Sequence, residues 1–555
     1  MFTRTLQILA IPALVVALAC AKDISATHGP PEGADPLTFG FYATPEVPEP
    51  IKLDILGSFP AWLSGSLYRG AAATWDSGNY TAEHWFDGFS RHHRFVIQNG
   101  DVSYRSRNAS DELLDFVAET GKYPNGMFGS DPCKIIFGAF ETHFRDGKHR
   151  RGDKSSDSNS IAYIPNFPGL NRNTSSNLND APFETLVSTT DANSLQQFDP
   201  VTLEPIELFT YQVENLLLVN DGRSAAHPAH ADDGTIYNYV LDTSVNPPEY
   251  RVFGVDSFTG HGRILATIND APAAYLHSIF NTANYIILIV WQADLVKPAT
   301  TLLGALGTWD PSRKTVFYVI DRVDGGVRAK YISSDAFFVF HSINSYETPA
   351  GDIVIDLPTM PDTTFIESAK IPYLRANVGH RVHGRSKSDI AGTFTRYRLP
   401  RQPYAPPSSN GTLPIMHAEK VFSLPYASAN MELPRINPLW ETKEYRYAYG
   451  IHVEKPGFFS DSIIKVDLDS RKPTVWIPEK NGLPSEPIFV RRPGSTKEDD
   501  GVLLTVVMDS QRKKSALVAI DAVTMKEVGQ ARLPIVMGYG FHGLWVVICK
   551  SFLIV

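Results

Sequence analysis

A strand-ending turn that repeats at near-constant spacing constrains this chain more than any other feature. An apolar residue followed by Asp, usually with Ser or Thr three positions on, occurs at Phe198-Asp199-Pro200-Val201-Thr202, Val255-Asp256-Ser257-Phe258-Thr259, Val466-Asp467-Leu468-Asp469-Ser470 and Ile520-Asp521-Ala522-Val523-Thr524. A looser copy is Ile320-Asp321. Successive aspartates are separated by 57, 65, 146 and 54 residues, so the long gap holds two repeats, one with a degraded signal. Short runs rich in Val, Ile, Tyr and Phe fill the intervals, as in Thr235 to Val240, Tyr285 to Trp291, Gly351 to Leu357 and Gly501 to Met508, and long amphipathic helical patterns are scarce. A period of this size filled with short strands predicts an all-β chain built of four-stranded propeller blades. Two sandwich domains are the alternative, and no shift in composition marks a boundary between them.

The repeat gives the histidines their meaning. His227, His277, His341 and His542 stand 28, 21, 20 and 21 residues after Asp199, Asp256, Asp321 and Asp521. One phase in a propeller is one radius and one height, so side chains far apart in sequence converge on the central axis and can make a metal site. Taken singly, each histidine is better read as a satisfied or surface residue. Glu486 stands 19 residues after Asp467, at the same phase in a blade that offers no histidine, where a carboxylate can accept the N–H of a ligating imidazole. Other histidines lack the phase: His380 and His383 read as an exposed loop, His92 and His93 as strand residues, and His230 as a loop neighbour of His227.

Composition removes several function classes. With 43% hydrophobic and 20% charged residues the 555-residue chain can bury a large core, which excludes a disordered protein. A net charge of −9 without a long Lys/Arg run gives no electrostatic reason for a nucleic-acid partner. Cys20, Cys133 and Cys549 are too few and too scattered for a disulfide framework or a cysteine zinc site. The N-terminus has the shape of a secretory signal over 1–21: Arg4, an apolar run from Leu6 to Ala19, then Ala19-Cys20-Ala21. That reading places the protein in the secretory pathway; without it the location is cytoplasmic or peripheral to a membrane.

Ala226-His227-Pro228, Leu276-His277-Ser278, Phe340-His341-Ser342-Ile343-Asn344-Ser345-Tyr346-Glu347 and Phe541-His542-Gly543-Leu544-Trp545 resemble the iron-ligand motifs of the carotenoid cleavage oxygenase family, which includes fungal carotenoid oxygenases and the vertebrate retinoid isomerohydrolase. Gly65-Ser66-Leu67-Tyr68-Arg69, Phe86-Asp87-Gly88 and Asp131-Pro132-Cys133-Lys134 match as well, so the resemblance runs from about Leu56 to Trp545. It implies a seven-bladed β-propeller with a helical and loop cap over a central Fe(2+) site. The ligands would be His227, His277, His341 and His542, with carboxylates behind three of them. Glu432 and Glu486 match two of these acids; the third position holds Asp191, one methylene shorter, which is expected to orient its histidine through a water or less firmly. A Gly-Pro pair frequent in the family is missing near Gly70-Ala71-Ala72-Ala73, where a turn is expected.

The implied activity is O2-dependent cleavage of a C=C bond in a carotenoid or apocarotenoid, giving two carbonyl products. Four neutral imidazoles suit a ferrous ion and leave coordination positions open. A stilbene-cleaving oxygenase, an isomerohydrolase that uses iron without O2, a non-catalytic binding propeller and a structural metal are the competing readings. A lipophilic polyene substrate gives the apolar segment from Cys133 to Phe144, beside Lys134, an expected role in peripheral membrane contact. The domain reading is thus 1–21 signal, 22–55 N-terminal extension, 56–545 propeller and 546–555 an unmatched apolar tail, read as an aggregation-prone edge rather than a closing strand.

Overall fold

The structure, a computed structural model, describes residues 29–124, 128–129, 153–170, 183–213, 215–219, 222–296, 301–376, 391–401, 413–455, 460–479 and 482–547. The candidate signal, the segment Cys133 to Phe144, His380, His383 and the tail beyond Val547 lie outside the described residues.

Strand pairing resolves into seven blades around one axis, antiparallel except where Ile415–His417 adds a parallel edge to Val327–Ile332. The single eight-stranded sheet is two blades joined where Gly392 and Thr393 pair with Met431 and Asn430. Each blade packs both faces against its neighbours, so its middle strands read as continuous apolar runs rather than alternating ones. Tyr285–Val290 and Gly501–Asp509 are buried along nearly their whole length, whereas outer strands such as Lys472–Trp476 alternate between exposed and covered residues.

The aspartate turns are built as the repeat predicts. Asp199, Asp256, Asp321, Asp467 and Asp521 each accept a backbone N–H two or three residues downstream, at 2.7 to 3.4 Å. Asp256 and Asp521 also take the hydroxyls of Thr259 and Thr524. A left-handed residue stands four positions after the aspartate in all five turns: Leu203, Gly260, Gly325, Arg471 and Met525. In the blade between those of Asp321 and Asp467, strand Gly392–Leu399 pairs with Glu419–Ser423 across the long connection 400–418, so these two strands are not joined by a tight turn that an aspartate could close.

The ring closes twice. Strand Gly540–Val547 is the innermost of a blade whose other strands come from the N-terminal part of the chain, with Trp545, Val546 and Val547 opposite Leu67, Ser66 and Gly65. The paired strand therefore runs two residues into the segment read as a tail. In the neighbouring blade, Asp54–Gly57 supplies the outer edge by pairing with Gly529 to Arg532. Gly70 to Ala73, where a turn was expected, lie inside strand Gly65–Thr74; Gly70 meets Gly540 so closely that a Cβ on Gly540 would stand 2.1 Å from the Gly70 carbonyl oxygen. His230 likewise belongs to the short inner strand Ala229–His230, opposite Ile236, rather than to a loop.

Candidate metal centre

His227, His277 and His341 each precede the innermost strand of a blade, and His542 lies within one. Circumferential contacts between blades fix their spacing. The His227 amide donates to the His277 carbonyl at 3.2 Å, the Ile279 amide to the His227 carbonyl at 3.3 Å, and the Ser278 hydroxyl to the Phe340 carbonyl at 2.6 Å. The four imidazoles converge so that one nitrogen from each lies within 4.8 Å of all the others.

Each candidate acid stands behind one of them. Asp191 Oδ1 is 2.6 Å from His277 Nδ1, Glu432 Oε2 is 2.6 Å from His341 Nδ1, and Glu486 Oε1 is 2.8 Å from His542 Nδ1. A carboxylate at Nδ1 keeps the proton there and turns the Nε2 lone pair inward. Asp191 reaches its histidine directly, contrary to the looser hold expected of the shorter side chain. The loop carrying it is drawn in by the Asn193 amide on the Gly222 carbonyl at 2.9 Å, and its second oxygen accepts the Tyr275 hydroxyl at 3.1 Å. Burial, then the Asp191 charge, pushes the Tyr275 phenol well above its usual range, so it stays a donor. His227 has no carboxylate partner among the described residues.

The donor set fits a metal ion. The Nε2 atoms of His542 and His341 are 3.0 Å apart, two lone pairs face to face if both rings carry their proton on Nδ1. Nitrogens each about 2.1 Å from one ion, at right angles, stand about that far apart. His227 Nε2 is buried with no protein partner, a costly state that a metal relieves. Burial and the neighbouring imidazoles push His227 and His542 far below the usual histidine range, so both are the neutral form a metal requires.

An apolar cavity opens onto His277, His341 and His542, lined by Trp85, Phe86, Phe340, Phe365, Leu433 and Phe541 among others. The rings brace one another: Trp85 and Phe86 lie 4.5 and 5.2 Å from Phe541, and Phe340 lies 5.5 Å from both Phe365 and His277. Trp85 and Phe86 sit in a 3-10 turn whose Asp87 accepts the backbone N–H groups of Phe128 and Gly129 at 2.7 and 3.0 Å. The hydroxyls on the wall are already engaged: Tyr539 donates to the Leu37 carbonyl at 2.8 Å and Ser460 to the Pro484 carbonyl at 3.1 Å, while Ser485 accepts from Arg69 at 2.8 Å.

Sequence reasoning missed Tyr275, Arg69 and Arg435, which grip the acids behind the histidines. Tyr275 carries a readable signal, since it stands two residues before His277. Arg435 does not, because an irregularity in its strand sets the face it occupies.

The profile of the family described as retinal pigment epithelial membrane protein matches residues 40–547. A carotenoid dioxygenase of Neurospora crassa is 33% identical, with 90% of this chain and 89% of that one aligned. A torulene dioxygenase of Gibberella fujikuroi is 31% identical over 89% of this chain and 91% of its own. Among solved structures, a variant of the Synechocystis apocarotenoid oxygenase superposes with a TM-score of 0.70 at 21% identity, covering 93% of this chain and 99% of that one. The same fold is thereby shared.

Proposed function

The chain belongs to this family, that of the carotenoid oxygenases and the retinal pigment epithelial membrane protein, and on that premise we propose that it is a non-haem Fe(2+) dioxygenase cleaving a C=C bond of a carotenoid or apocarotenoid. The observation that carries the reading is the convergence of four imidazoles, three carboxylate-backed, at the end of an apolar aromatic cavity. His227, His277, His341 and His542 would hold the iron, which when bound supplies the activation of O2 that cleavage needs.

The protein's own contribution is positioning. Phe86, Phe340, Phe365 and Phe541 offer ring edges and faces to an extended polyene and exclude water from the reacting bond. Asp191, Glu432 and Glu486 hold three imidazoles in one tautomer and orientation. Peripheral membrane contact through Cys133 to Phe144 and export through residues 1–21 remain parts of this proposal, the former tested by liposome flotation of the wild type against F137D/F140D.

Incubating the iron-loaded protein with carotenoids, apocarotenoids and stilbenes, with O2 uptake recorded, tests the reading. Aldehyde or ketone products from a polyene, matched by O2 consumption, support it. Turnover without O2 uptake overturns it in favour of an isomerohydrolase.

A further inference from the structure

Glu432 and Arg435 lie three residues apart on the inner strand Asn430–Arg435, where a regular strand would aim them at opposite faces. They face the same way. Glu432 stands opposite Ile451 and Arg435 opposite Tyr449, so three steps on one strand answer two on the other. The extra residue is absorbed at Leu433, whose φ of +47° places a non-glycine residue in the left-handed region just before Pro434.

The bulge lets one strand reach two of the four histidines. Glu432 meets His341 Nδ1. Arg435 Nε donates to Glu486 Oε1 at 2.7 Å, the oxygen that also faces His542 Nδ1, and its Nη2 donates to the Gly543 carbonyl at 3.0 Å. Glu486 Oε2 accepts the Gly543 N–H at 2.8 Å, so Arg435, Glu486 and the His542–Gly543 backbone form a closed ring of hydrogen bonds. Arg69 steadies the far side, with Nη1 on the Glu486 carbonyl at 3.0 Å. Among the described residues, no guanidinium hydrogen-bonds Asp191 or Glu432.

We propose that Arg435 is a positioning residue: through Glu486 and Gly543 it holds His542 in register with His341, so that the bulge at Leu433 sets the spacing of these two imidazoles. The inference rests on the reading of the four histidines as metal ligands. Arg435 lines neither the cavity nor the cluster, so it acts through its hydrogen-bonded partners and, across space, through its charge on His227 and His542. It also shares with His542 the oxygen that orients that ring, as the Leu433 N–H shares the Glu432 oxygen that faces His341.

The experiment compares the full chain with R435M and R435K, using cobalt(II) titration followed by visible absorption, iron loss to a chelator, and melting temperature. R396M serves as the structural control, because Arg396 makes a two-pronged clamp on buried Asp356, at 2.8 and 2.7 Å, in the adjoining blade. R435M is expected to weaken metal affinity about tenfold or more and to change the cobalt spectrum, with a melting shift no larger than that of R396M. R435K keeps a charge but not the fork, and is expected to fall between. On a polyene substrate kcat should drop while KM holds. Wild-type affinity and spectrum in R435M overturn the proposal; if R435M does not fold, an unchanged spectrum in R435K does so. Failure of the wild type to bind cobalt or iron instead overturns the metal-site reading itself.

Discussion

Asp191 and His277 meet at 2.6 Å, as closely as the longer Glu432 meets His341. The reach lost with one methylene is recovered by the position of the loop and by Tyr275, whose hydroxyl takes the other Asp191 oxygen. Removing that hydroxyl leaves a buried carboxylate oxygen unsatisfied, at roughly 1–3 kcal/mol. Y275F should therefore lose iron to a chelator several-fold faster than wild type. D191E should also lose it faster, because the pocket is already closed around the shorter acid. Better retention in D191E, measured by iron analysis after gel filtration, would show that the pocket still has room for a glutamate.

Each of H227A, H277A, H341A and H542A should abolish iron binding and turnover, since three imidazoles lose both affinity and geometry. Iron content and O2 uptake check this together. A variant with normal iron and full activity would remove its histidine from the ligand set.

E432Q and E486Q should lower metal affinity or rate by roughly 10–100-fold with the fold intact. The two differ in surroundings. Neutralising Glu486 takes the charge partner from buried Arg69, and solvent reaches only the half-buried Arg435, so E486Q should melt below E432Q in a thermal scan. Equal melting temperatures would show that the arginines find other partners.

His92 is buried between Tyr163 and Gln196 and stacked 4.0 Å from Phe198, and burial pushes its pKa down to about 4. The unfolded chain protonates near 6.5 while the folded state resists, so the stability His92 contributes is present above pH 6.5 and is lost as pH falls towards 4, by up to roughly 3 kcal/mol. Urea unfolding at pH 7 and pH 4.5 should show H92Q less stable at pH 7 but less sensitive to acid. An identical acid sensitivity would place the titration elsewhere, with His84, also pushed to about 4, the next residue to test.

A chain ending at Val547 keeps every pair between Gly540–Val547 and Gly65–Thr74 and should fold and bind iron. One ending at Gly543 loses Leu544 to Val547 opposite Gly65 to Tyr68 and keeps only Gly543 opposite Arg69 and Gly540 opposite Ala71, so the ring closure is weakened and it should be recovered insoluble. Soluble, iron-bound protein from the shorter chain would show that the outer closure by Asp54–Gly57 suffices.

Much of this architecture is written locally. An aspartate that closes a turn with its own neighbours needs no tertiary partner, so the blade period was legible at Asp199, Asp256, Asp321, Asp467 and Asp521, and symmetry carried the histidines to one axis. Glu486 was legible for the same reason, and Glu432 and Asp191 through resemblance. What the sequence could not determine is how groups on different strands meet. Tyr275 acts only because a loop 84 residues away in sequence folds against it. Arg435 acts only because a bulge at Leu433 reverses the face it would occupy in a regular strand, and strand periodicity predicts the opposite. The end of the propeller was misjudged at Val546 and Val547 because an apolar run in isolation looks the same whether it is an unpaired edge or a strand awaiting a partner nearly 500 residues earlier. Local hydrogen bonding determines turns and repeats; only the closed ring decides which distant edges pair and which side chains share an oxygen.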